Sequence, residues 1–368
     1  MEPALLHLTE RVRAAQADKT PLQIRCGGSK DFYGQALRGE ILDMSNLTGI
    51  VSYEPSELVV TVRAGTSLLE LESVLAEQGQ CLPFEPPHFS RVTGKSSDGF
   101  SEDRMASCGG MVAAGLSGPA RSSVGGVRDF MLGVTFLNGQ AELLTFGGQV
   151  MKNVAGYDVS RLMVGSLGTL GVITEISLKV LPKAPAEATL IFEMNEAQAL
   201  KQLNLWAGLP LPMNATCWHA GALMVRLRGA KAAVTAAKIQ MGGCELGDES
   251  QSLWQGLREQ SAPFFELASH ESLIRISVPD TAPPLNLGPT LIEWGGAQRW
   301  IKVPNADLDE YNPTLTLIHG QSTLFRSNNK VAGVFSPLSA VMLQIHKNLK
   351  KQFDPAGIFN PGRIYADF

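Results

Sequence analysis

The stretch from Ser107 to Val172 contains glycine clusters that constrain the fold more than any other part of the chain. Glycine occurs at positions 109, 110, 115, 118, 125 and 126, while only Arg121, Arg128 and Asp129 are charged between 107 and 129. Glycine permits positive φ and lets another group approach the main chain closely, so this pattern predicts backbone amides turned toward an anionic ligand. A second glycine-rich run, from 165 to 171, precedes residues that alternate like a strand. Two such turns beside strands predict the binding of a large nucleotide.

Composition narrows the class of protein. The chain has 368 residues, 44% of them hydrophobic, which is enough for a sizeable core in one elaborated domain or two. A net charge of −4 without a Lys/Arg run argues against a nucleic-acid partner or an anionic membrane surface. Five cysteines without a CxxC pair predict free thiols and no metal site. We see neither a signal-peptide pattern nor an apolar run of about 18 residues, so we expect a cytoplasmic protein without a membrane span.

A third glycine turn follows a short predicted strand near the N-terminus. It reads Arg25-Cys-Gly-Gly-Ser-Lys30, and consecutive amides beside a hydroxyl can cradle a phosphate. Taken alone, the turn is better explained as an ordinary surface turn. The chain lacks both a Walker A sequence and a strand–GxGxxG–helix unit, which disfavours a kinase or a nicotinamide-binding Rossmann domain.

Hydrophobic periodicity predicts the main elements. Amphipathic helices are expected at 4–16 and 68–78, the second with a Ser67–Glu70 capping box, and Asn138-Gly139 predicts a hairpin. Pro182 and Pro185 mark a domain boundary. A helix-and-sheet cap domain is expected from about 187 to 330, followed by a closing helix that ends at Asp354.

Several polar and aromatic positions leave alternatives open. His88 is either a solvated loop histidine or a residue beside a flavin or substrate, and residues 90–103 resemble a mobile loop or lid. Trp206, Trp218 and Trp254 could anchor an interface, although packing inside the cap is the simpler interpretation.

Four motifs occur in the order typical of one flavoprotein family. They are Arg25-Cys-Gly-Gly-Ser-Lys30, the stretch from Gly109 to Asp129, Gly165-Ser-Leu-Gly-Thr-Leu-Gly171, and Phe353-Asp-Pro with Asn360-Pro-Gly362. The chain resembles the vanillyl-alcohol-oxidase-type (PCMH-type) FAD-binding proteins over essentially its whole length. The segments 152–162, 276–279 and 293–300 resemble more narrowly the FAD-binding subunits (E subunits) of glycolate oxidases.

This resemblance implies an α+β fold with distinct parts. Residues 1–183 would form a PCMH-type FAD-binding domain of two α+β subdomains, at about 1–50 and 51–183. Residues 184–335 would form an α+β cap domain on the substrate side. Residues 336–368 would carry a C-terminal helix that returns to the FAD domain.

The resemblance also implies FAD stretched between the two subdomains, with its isoalloxazine facing the cap. The implied cofactor-binding residues are Arg25, Cys26, Gly27, Gly28, Ser29 and Lys30 in a first pyrophosphate loop; Ser107, Gly109, Gly110, Met111, Ala114 and Gly118 in a second; Arg121, Gly125 and Asp129 along the cofactor; Gly165, Gly168, Thr169, Val172 and Ile173 near the adenine and ribose; and Asn360 near the flavin. Family members with covalently attached flavin often carry a histidine in the first loop. This loop has none, so non-covalent FAD is expected.

The implied function is oxidation of glycolate to glyoxylate as an FAD-dependent 2-hydroxy-acid oxidoreductase subunit. Its implied partners are a catalytic FAD subunit and an iron–sulfur subunit, which could hold the cytoplasmic chain at the inner face of the membrane. Arg275 and Arg299 are candidates to clamp the substrate carboxylate, because a guanidinium matches it bidentately.

One related motif is incomplete. Hydroxy-acid dehydrogenases of this family carry a Gly-Glu-His-Gly type motif that helps bind metal and abstract the substrate proton, and His319 is its nearest counterpart here, without the glutamate. A catalytic and a structural role for His319 both stay open. Two other functions do as well: a catalytically silent electron-relay or assembly subunit, and a stand-alone D-2-hydroxy-acid dehydrogenase.

Overall fold

The computed structural model describes residues 2–89, 105–148, 158–307 and 320–366. The α-helices in these ranges are α1 Pro3–Asp18, α2 Leu68–Glu77, α3 Cys108–Ala114, α4 Arg121–Val124, α5 Val127–Phe130, α6 Val159–Leu162, α7 Glu196–Ala207, α8 Lys231–Met241, α9 Glu249–Glu259 and α10 Ala340–Phe353. The strands are β1 Leu22–Arg25, β2 Glu40–Asp43, β3 Ile50–Glu54, β4 Val59–Arg63, β5 Gln80–Cys81, β6 Met131–Leu137, β7 Leu143–Gly147, β8 Val172–Lys179, β9 Leu181–Pro182, β10 Ala186–Glu193, β11 Met213–His219, β12 Ala222–Gly229, β13 Cys244–Leu246, β14 Glu271–Ser277, β15 Thr290–Glu293, β16 Gln298–Pro304 and β17 Gln321–Arg326.

The N-terminal unit packs the predicted first helix on a small parallel sheet. Leu5, Leu8 and Val12 lie at helical spacing and are buried, which confirms the amphipathic pattern of α1. β1 pairs in parallel with β2, and Leu22 also bridges Phe359 near the C-terminus. The two ends of the chain therefore meet in one hydrophobic cluster.

A five-stranded antiparallel sheet forms the next unit, in the order β3-β4-β8-β6-β7. β8 is the central strand and is covered on both faces, because Val172 packs in the N-terminal cluster while Ile173 and Ile176 pack against α2 and α3. The predicted hairpin is confirmed: β6 and β7 pair across the Asn138-Gly139 turn, with Leu137 opposite Leu143.

The predicted capping box at the start of α2 is wrong. The Ser67 hydroxyl forms no cap bond and has no partner in the described part of the chain. Ser67 instead forms a backbone bridge with Ser107, and the Leu68 amide donates to the Ala106 carbonyl at 2.8 Å. The segment before α3, which is distant in sequence, therefore pairs with the N-terminus of α2, where the capping-box pattern predicted the Glu70 side chain.

Strands from residues 186 to 326 form an eight-stranded antiparallel sheet, ordered β13-β10-β12-β11-β15-β16-β14-β17. One core of this unit contains Leu203 and Trp206 of α7 and Val234 of α8. A second core joins it to the part formed by residues 2–183 and α10, which the resemblance predicts to bind FAD and which is called the FAD-binding part below, because Trp300 and Phe325 of the sheet cluster with Phe89.

The tryptophans left open by the sequence lie within the cap. Trp206 and Trp254 are buried, and their neighbours are cap residues: the Trp206 ring packs on Phe192, while the Trp254 indole N–H donates to the Thr189 hydroxyl at 2.9 Å. The Trp218 indole donates to a main-chain carbonyl of the cap at 2.9 Å. These contacts support the packing interpretation.

The closing helix α10 returns to the FAD-binding part, as predicted. The Phe353 ring lies 5.7 Å from that of Phe136, and the Lys350 ammonium donates to the Thr169 and Phe359 carbonyls and to Asp354 at 2.7–2.8 Å. Within the ranges that the structure describes, helices are too short or too polar to cross a membrane.

Candidate cofactor and substrate site

A cleft lies between the 25–31 loop, the start of α3 and the 167–173 turn. It holds about 800 Å³ of empty space, with open solvent included. The predicted cofactor residues that line it are Arg25, Cys26, Gly27, Gly28, Ser29, Lys30, Ser107, Gly109, Gly110, Ala114, Gly168, Ile173 and Asn360. Residues from four sequence motifs therefore meet in one cavity.

The first loop presents main-chain donors to this cleft. The amides of Gly28, Ser29 and Lys30 donate to no protein atom within the described residues. Gly28 has a φ of 71°, a conformation that favours glycine and turns successive N–H groups to one side. A Cβ on Gly27 would lie 1.9 Å from the Met105 carbonyl oxygen, so only glycine lets the loop pass that backbone.

Lys30 adds a cation beside these amides. Its ammonium lies 3.3 Å from the Ser29 hydroxyl and 3.4 Å from the His88 carbonyl oxygen. Burial lowers its pKa to about 8, although Glu259 counteracts this. Within the described ranges no carboxylate lies within ion-pair distance of it, so a bound phosphate would supply the missing counter-charge.

The second predicted pyrophosphate loop lines the cleft, but its backbone amides are already hydrogen-bonded within the fold. Ser107 caps α3 by accepting the Gly110 amide at 3.1 Å, while the Cys108 and Gly109 amides donate to the Thr66 and Ala64 carbonyls. These N–H groups are therefore unavailable to a pyrophosphate without breaking bonds in the fold.

Some predicted cofactor residues do not line the cleft. Met111 and Val172 are buried in the two cores of the FAD-binding part. Thr169 is buried and its hydroxyl donates to the Ser166 carbonyl at 2.7 Å. The Gly165 amide donates to the Val112 carbonyl at 3.0 Å. These four residues therefore pack within the fold, which accounts for their residue types without a contact to the cofactor.

Four others lie toward the cap. Asp129 accepts the Gly126 amide at 2.8 Å, and a Cβ on Gly125 would lie 2.8 Å from the same carboxylate, so both positions build a turn. The Arg121 guanidinium lies 4.6 Å from the centre of the Trp294 ring, and Gly118 lines a second cavity.

The Asn360 side chain forms hydrogen bonds to two walls of the cleft. Its side-chain oxygen accepts the Ile24 amide at 2.9 Å and its nitrogen donates to the Leu167 carbonyl at 2.7 Å. Arg363, which we did not predict, donates to the Asp31 carbonyl at 2.9 Å and also lines the cleft. Its position three residues after Asn360, in the same terminal motif, is the signal that could have indicated it.

The second cavity lies between the cap sheet and the FAD-binding part. It has about 330 Å³ of empty space, open solvent included, and its polar walls include Arg275, Glu293 and Gln298. Arg275 donates to the Tyr33 hydroxyl at 3.2 Å. Arg275 therefore lines a cavity between the two parts, and its contact to a small carboxylate stays a prediction.

Arg299 does not share that position. It pairs with Ile276, whereas Arg275 pairs with Trp300, so alternation places the two arginines on opposite faces of the sheet. Arg299 is completely buried and donates to the carbonyls of Ala282 and Pro283, both at 2.6 Å, and of Gly296 at 3.2 Å. This placement contradicts the predicted carboxylate clamp. Arg299 instead holds the two segments that flank β15, at 282–283 and at 296.

The two histidines considered from sequence have different outcomes. The His88 ring lies 3.1 Å from a Glu72 carboxylate oxygen and its amide donates to Glu259 at 3.0 Å, so it joins the FAD-binding part to the end of α9. His319 lies outside the described residues, as do the predicted loop at 90–103 and most of the 152–162 motif.

The cleft fits an elongated dinucleotide. Among the described residues it combines amides that donate to no protein atom, a half-buried lysine without a carboxylate partner, and a glycine required by close backbone approach. Cys26 is the cysteine of the first loop. Burial raises the pKa of its thiol, so the thiol stays neutral.

Comparisons with known proteins agree with this geometry. A family model described as an FAD binding domain matches residues 6–94. The chain is 45% identical over 361 residues to the glycolate oxidase subunit GlcE of Escherichia coli, which covers 98% of this chain and 97% of that protein. It is 28% identical over 166 residues to the glycolate oxidase subunit GlcD of Bacillus subtilis, over 45% of this chain and 32% of that one.

Solved structures support the fold. An alkyldihydroxyacetonephosphate synthase superposes with a TM-score of 0.65 over 96% of this chain and 75% of that one, at 15% identity. Low identity limits this likeness to the fold. With 45% identity over nearly the full length of both proteins, the chain belongs to the family of the glycolate oxidase subunit GlcE.

Proposed function

We propose that this chain is the FAD-binding subunit of a glycolate oxidase complex, which oxidises glycolate to glyoxylate. The observation that carries the proposal is the first loop, where the amides of Gly28, Ser29 and Lys30 donate to no described protein atom and line the cleft beside the Lys30 ammonium. This combination suits the pyrophosphate of FAD. Bound FAD would supply hydride acceptance and onward electron transfer.

The chain's own residues would bind and orient. The first loop would hold the phosphates, Ala114, Gly168 and Ile173 would form apolar walls, and Asn360 would fix the distance between β1 and the 167–173 turn. We propose that the FAD is non-covalent, because the loop lacks histidine and its Cys26 stays a thiol.

Proposed partners are a catalytic FAD subunit and an iron–sulfur subunit, with the complex in the cytoplasm and held at the inner face of the membrane by its partners. In this arrangement residues 1–183 bind FAD, residues 184–335 face the substrate, and 336–368 close the FAD-binding part. Arg275 is the arginine that supports a substrate-side role for the cap.

A silent relay or assembly subunit is the second candidate. Arg299 is occupied by main-chain carbonyls, and the acid–histidine motif of related dehydrogenases is incomplete, so this chain offers fewer groups for independent chemistry. A stand-alone D-2-hydroxy-acid dehydrogenase is the third candidate, with only Arg275 in its favour.

The test is a comparison of the purified chain with the assembled complex. We expect a yellow protein that releases intact FAD on denaturation, and anaerobic glycolate should bleach the flavin when the partner subunits are present. Bleaching of the isolated chain by one hydroxy acid would favour the stand-alone enzyme. A yellow chain whose flavin stays oxidised when it is alone but is reduced in the active complex fits the relay as well, whereas a flavin that stays oxidised even in the active complex would favour a silent assembly subunit. A colourless chain that cannot be reconstituted would refute FAD binding.

A further inference from the structure

The second cavity contains polar groups that the fold does not use. The side-chain oxygens of Gln260 and Gln298 and the Nε of Arg275 are buried and have no hydrogen-bond partner in the part of the chain described here. Gln260 is 8% exposed and Gln298 is 3% exposed. Unpaired polar groups at such depth cost free energy, and they favour a ligand that pairs with them.

Glu293 lies in the same cavity and is held by its own sequence motif. The Trp300 indole N–H and the Gln298 side-chain nitrogen donate to its Oε2 at 2.7 and 3.1 Å. Because the Gln298 nitrogen faces Glu293, its carbonyl oxygen is left for another donor. The motif at 293–300 therefore positions two acceptors side by side.

Glu293 forms no ion pair with the arginines of this cavity within the described residues. Burial raises the pKa of Glu293 to about 7, and the two hydrogen bonds counteract this. The other charged groups of the cavity are Arg275 and Arg258, and Arg258 pairs with Glu259 at 2.8 Å. The Cys217 thiol, paired with Glu293 across β11 and β15, has a pKa raised well above its usual value by burial.

The required ligand chemistry follows from these groups. Arg275 needs an anionic acceptor, because no carboxylate of the described chain lies within ion-pair distance of it. Gln260, Gln298 and Glu293 provide acceptors. A hydroxyl donates one hydrogen, and it can be shared between the neighbouring oxygens of Gln298 and Glu293. Arg275, Gln260, Gln298 and Glu293 all line this one cavity, so a single small molecule can contact the cation and the acceptors together.

We propose that this cavity binds a small 2-hydroxy carboxylic acid, with its carboxylate at Arg275 and its hydroxyl at Glu293 and Gln298. This proposal rests on the proposed function, and it assigns binding of the acid to residues of this chain. Arg275 fixes the carboxylate, whereas the motif at 293–300 distinguishes the hydroxy acid from its deoxy analogue.

The experiment measures binding rather than turnover. FAD-loaded protein is titrated with glycolate and with acetate, using calorimetry and ligand-observed NMR. We expect acetate to bind at least about tenfold more weakly than glycolate, since it lacks the hydroxyl hydrogen bond. Arg275→Met should abolish binding of both acids, Arg275→Lys should restore part of it, and exposed Arg161→Met should bind like the wild type.

Glu293→Gln tests the hydroxyl contact separately and should bring the affinities for glycolate and acetate closer together. Melting temperature and flavin content are recorded for every variant, so that misfolding is seen directly. Equal binding of the two acids to the wild type, unchanged binding by folded Arg275→Met, or unchanged selectivity of folded Glu293→Gln would overturn the proposal. If the complex oxidises glycolate while this FAD-loaded chain binds no acid, the site is wrong and the proposed function stands; a chain without FAD would instead contradict the proposed function.

Discussion

Lys30 lines the cleft beside the unbonded amides of the first loop, and its charge can be tested alone. A bound pyrophosphate would pair with the ammonium, so Lys30→Met should weaken FAD binding by about 10- to 100-fold, the range of one or two charge-assisted hydrogen bonds. Fluorescence titration of the apoprotein with FAD measures this. The exposed Lys201→Met is the control, and an unchanged FAD affinity in Lys30→Met would contradict the assigned phosphate loop.

The same lysine predicts a pH dependence of stability. Its pKa in the fold is about 8, below the usual 10.5, so at this group the unfolded chain binds more protons between these values and the contribution of Lys30 to apoprotein stability should rise with pH there. Lys30→Met should remove this contribution and should not destabilise the apoprotein at pH 7. Burial also lowers the pKa of Lys330 to about 8 and raises the pKa of the Cys217 thiol, so the Lys30 effect is measured as the difference between the urea-unfolding free energies of wild type and Lys30→Met from about pH 7 to 10.5. A difference that does not grow in favour of the wild type as the pH rises would refute it.

Gly27 tests the close backbone approach in the same loop. Gly27→Ala would place a Cβ 1.9 Å from the Met105 carbonyl oxygen, and the loop must shift because a main-chain atom cannot rotate away. We expect a loss of about 1–3 kcal/mol of stability, as for other overpacked sites, and weaker FAD binding. Gly247→Ala, where no atom lies within 4 Å of the new Cβ, should match the wild type; a Gly27→Ala protein with wild-type FAD affinity would show that the loop tolerates the side chain.

At the scale of elements, α10 is held by a buried ion pair. Asp354 is completely buried, and Lys350 donates to it and to two carbonyls of the FAD-binding part. Lys350→Met would leave the Asp354 charge unpaired, at a cost of about 3–5 kcal/mol. Thermal unfolding should show a large drop, whereas exposed Lys351→Met in the same helical turn should change little. Equal melting temperatures for the two variants would mean that apolar contacts of α10 suffice.

Local sequence patterns predicted the elements that depend on local interactions. The helices α1, α2 and α10 and the β6–β7 hairpin follow from spacing of apolar residues and from Asn-Gly turn chemistry. The start of α2 does not, because Ser67 bonds to the distant Ser107 segment rather than to its own helix. Long-range backbone pairing therefore replaced a favourable local cap.

The site was predicted in part for the same reason. The 25–30 loop carries its own glycines and lysine, and its place beside other family motifs in the sequence indicated a phosphate loop where the turn alone did not. Arg275 and Arg299 could not be distinguished from the sequence. In the sheet Arg275 lies opposite Trp300 and Arg299 lies opposite Ile276, so the two arginines point to opposite faces. The Glu293–Gln298–Trp300 bonds also depend on a hairpin whose register the sequence did not reveal.

At the scale of the whole molecule, Glu85 connects the FAD-binding part to the cap. Its carboxylate accepts bonds from Arg226 at 2.7 Å and from Arg228 at 2.9 Å, both on β12, and from the Ala120 amide at 3.2 Å. Arg226 is 3% exposed. Removal of the carboxylate would leave that guanidinium buried without its counter-charge, so Glu85→Gln should destabilise the protein by about 3 kcal/mol.

This connection also predicts how the two parts respond to acid. Burial raises the pKa of Glu85, but the Arg226 and Arg228 guanidiniums outweigh it and hold the pKa below its usual 4.5. The stabilisation is therefore present above about pH 4.5 and should be lost as the pH falls through the lower folded value. Limited proteolysis at 182–187 and melting curves from neutral pH to about pH 3 should show the cap loosening in that window for the wild type and a flatter profile for Glu85→Gln. Glu187→Gln, which removes only the more exposed partner of Arg228, should keep the wild-type profile; parallel acid curves for wild type and Glu85→Gln would place the acid-sensitive contact elsewhere.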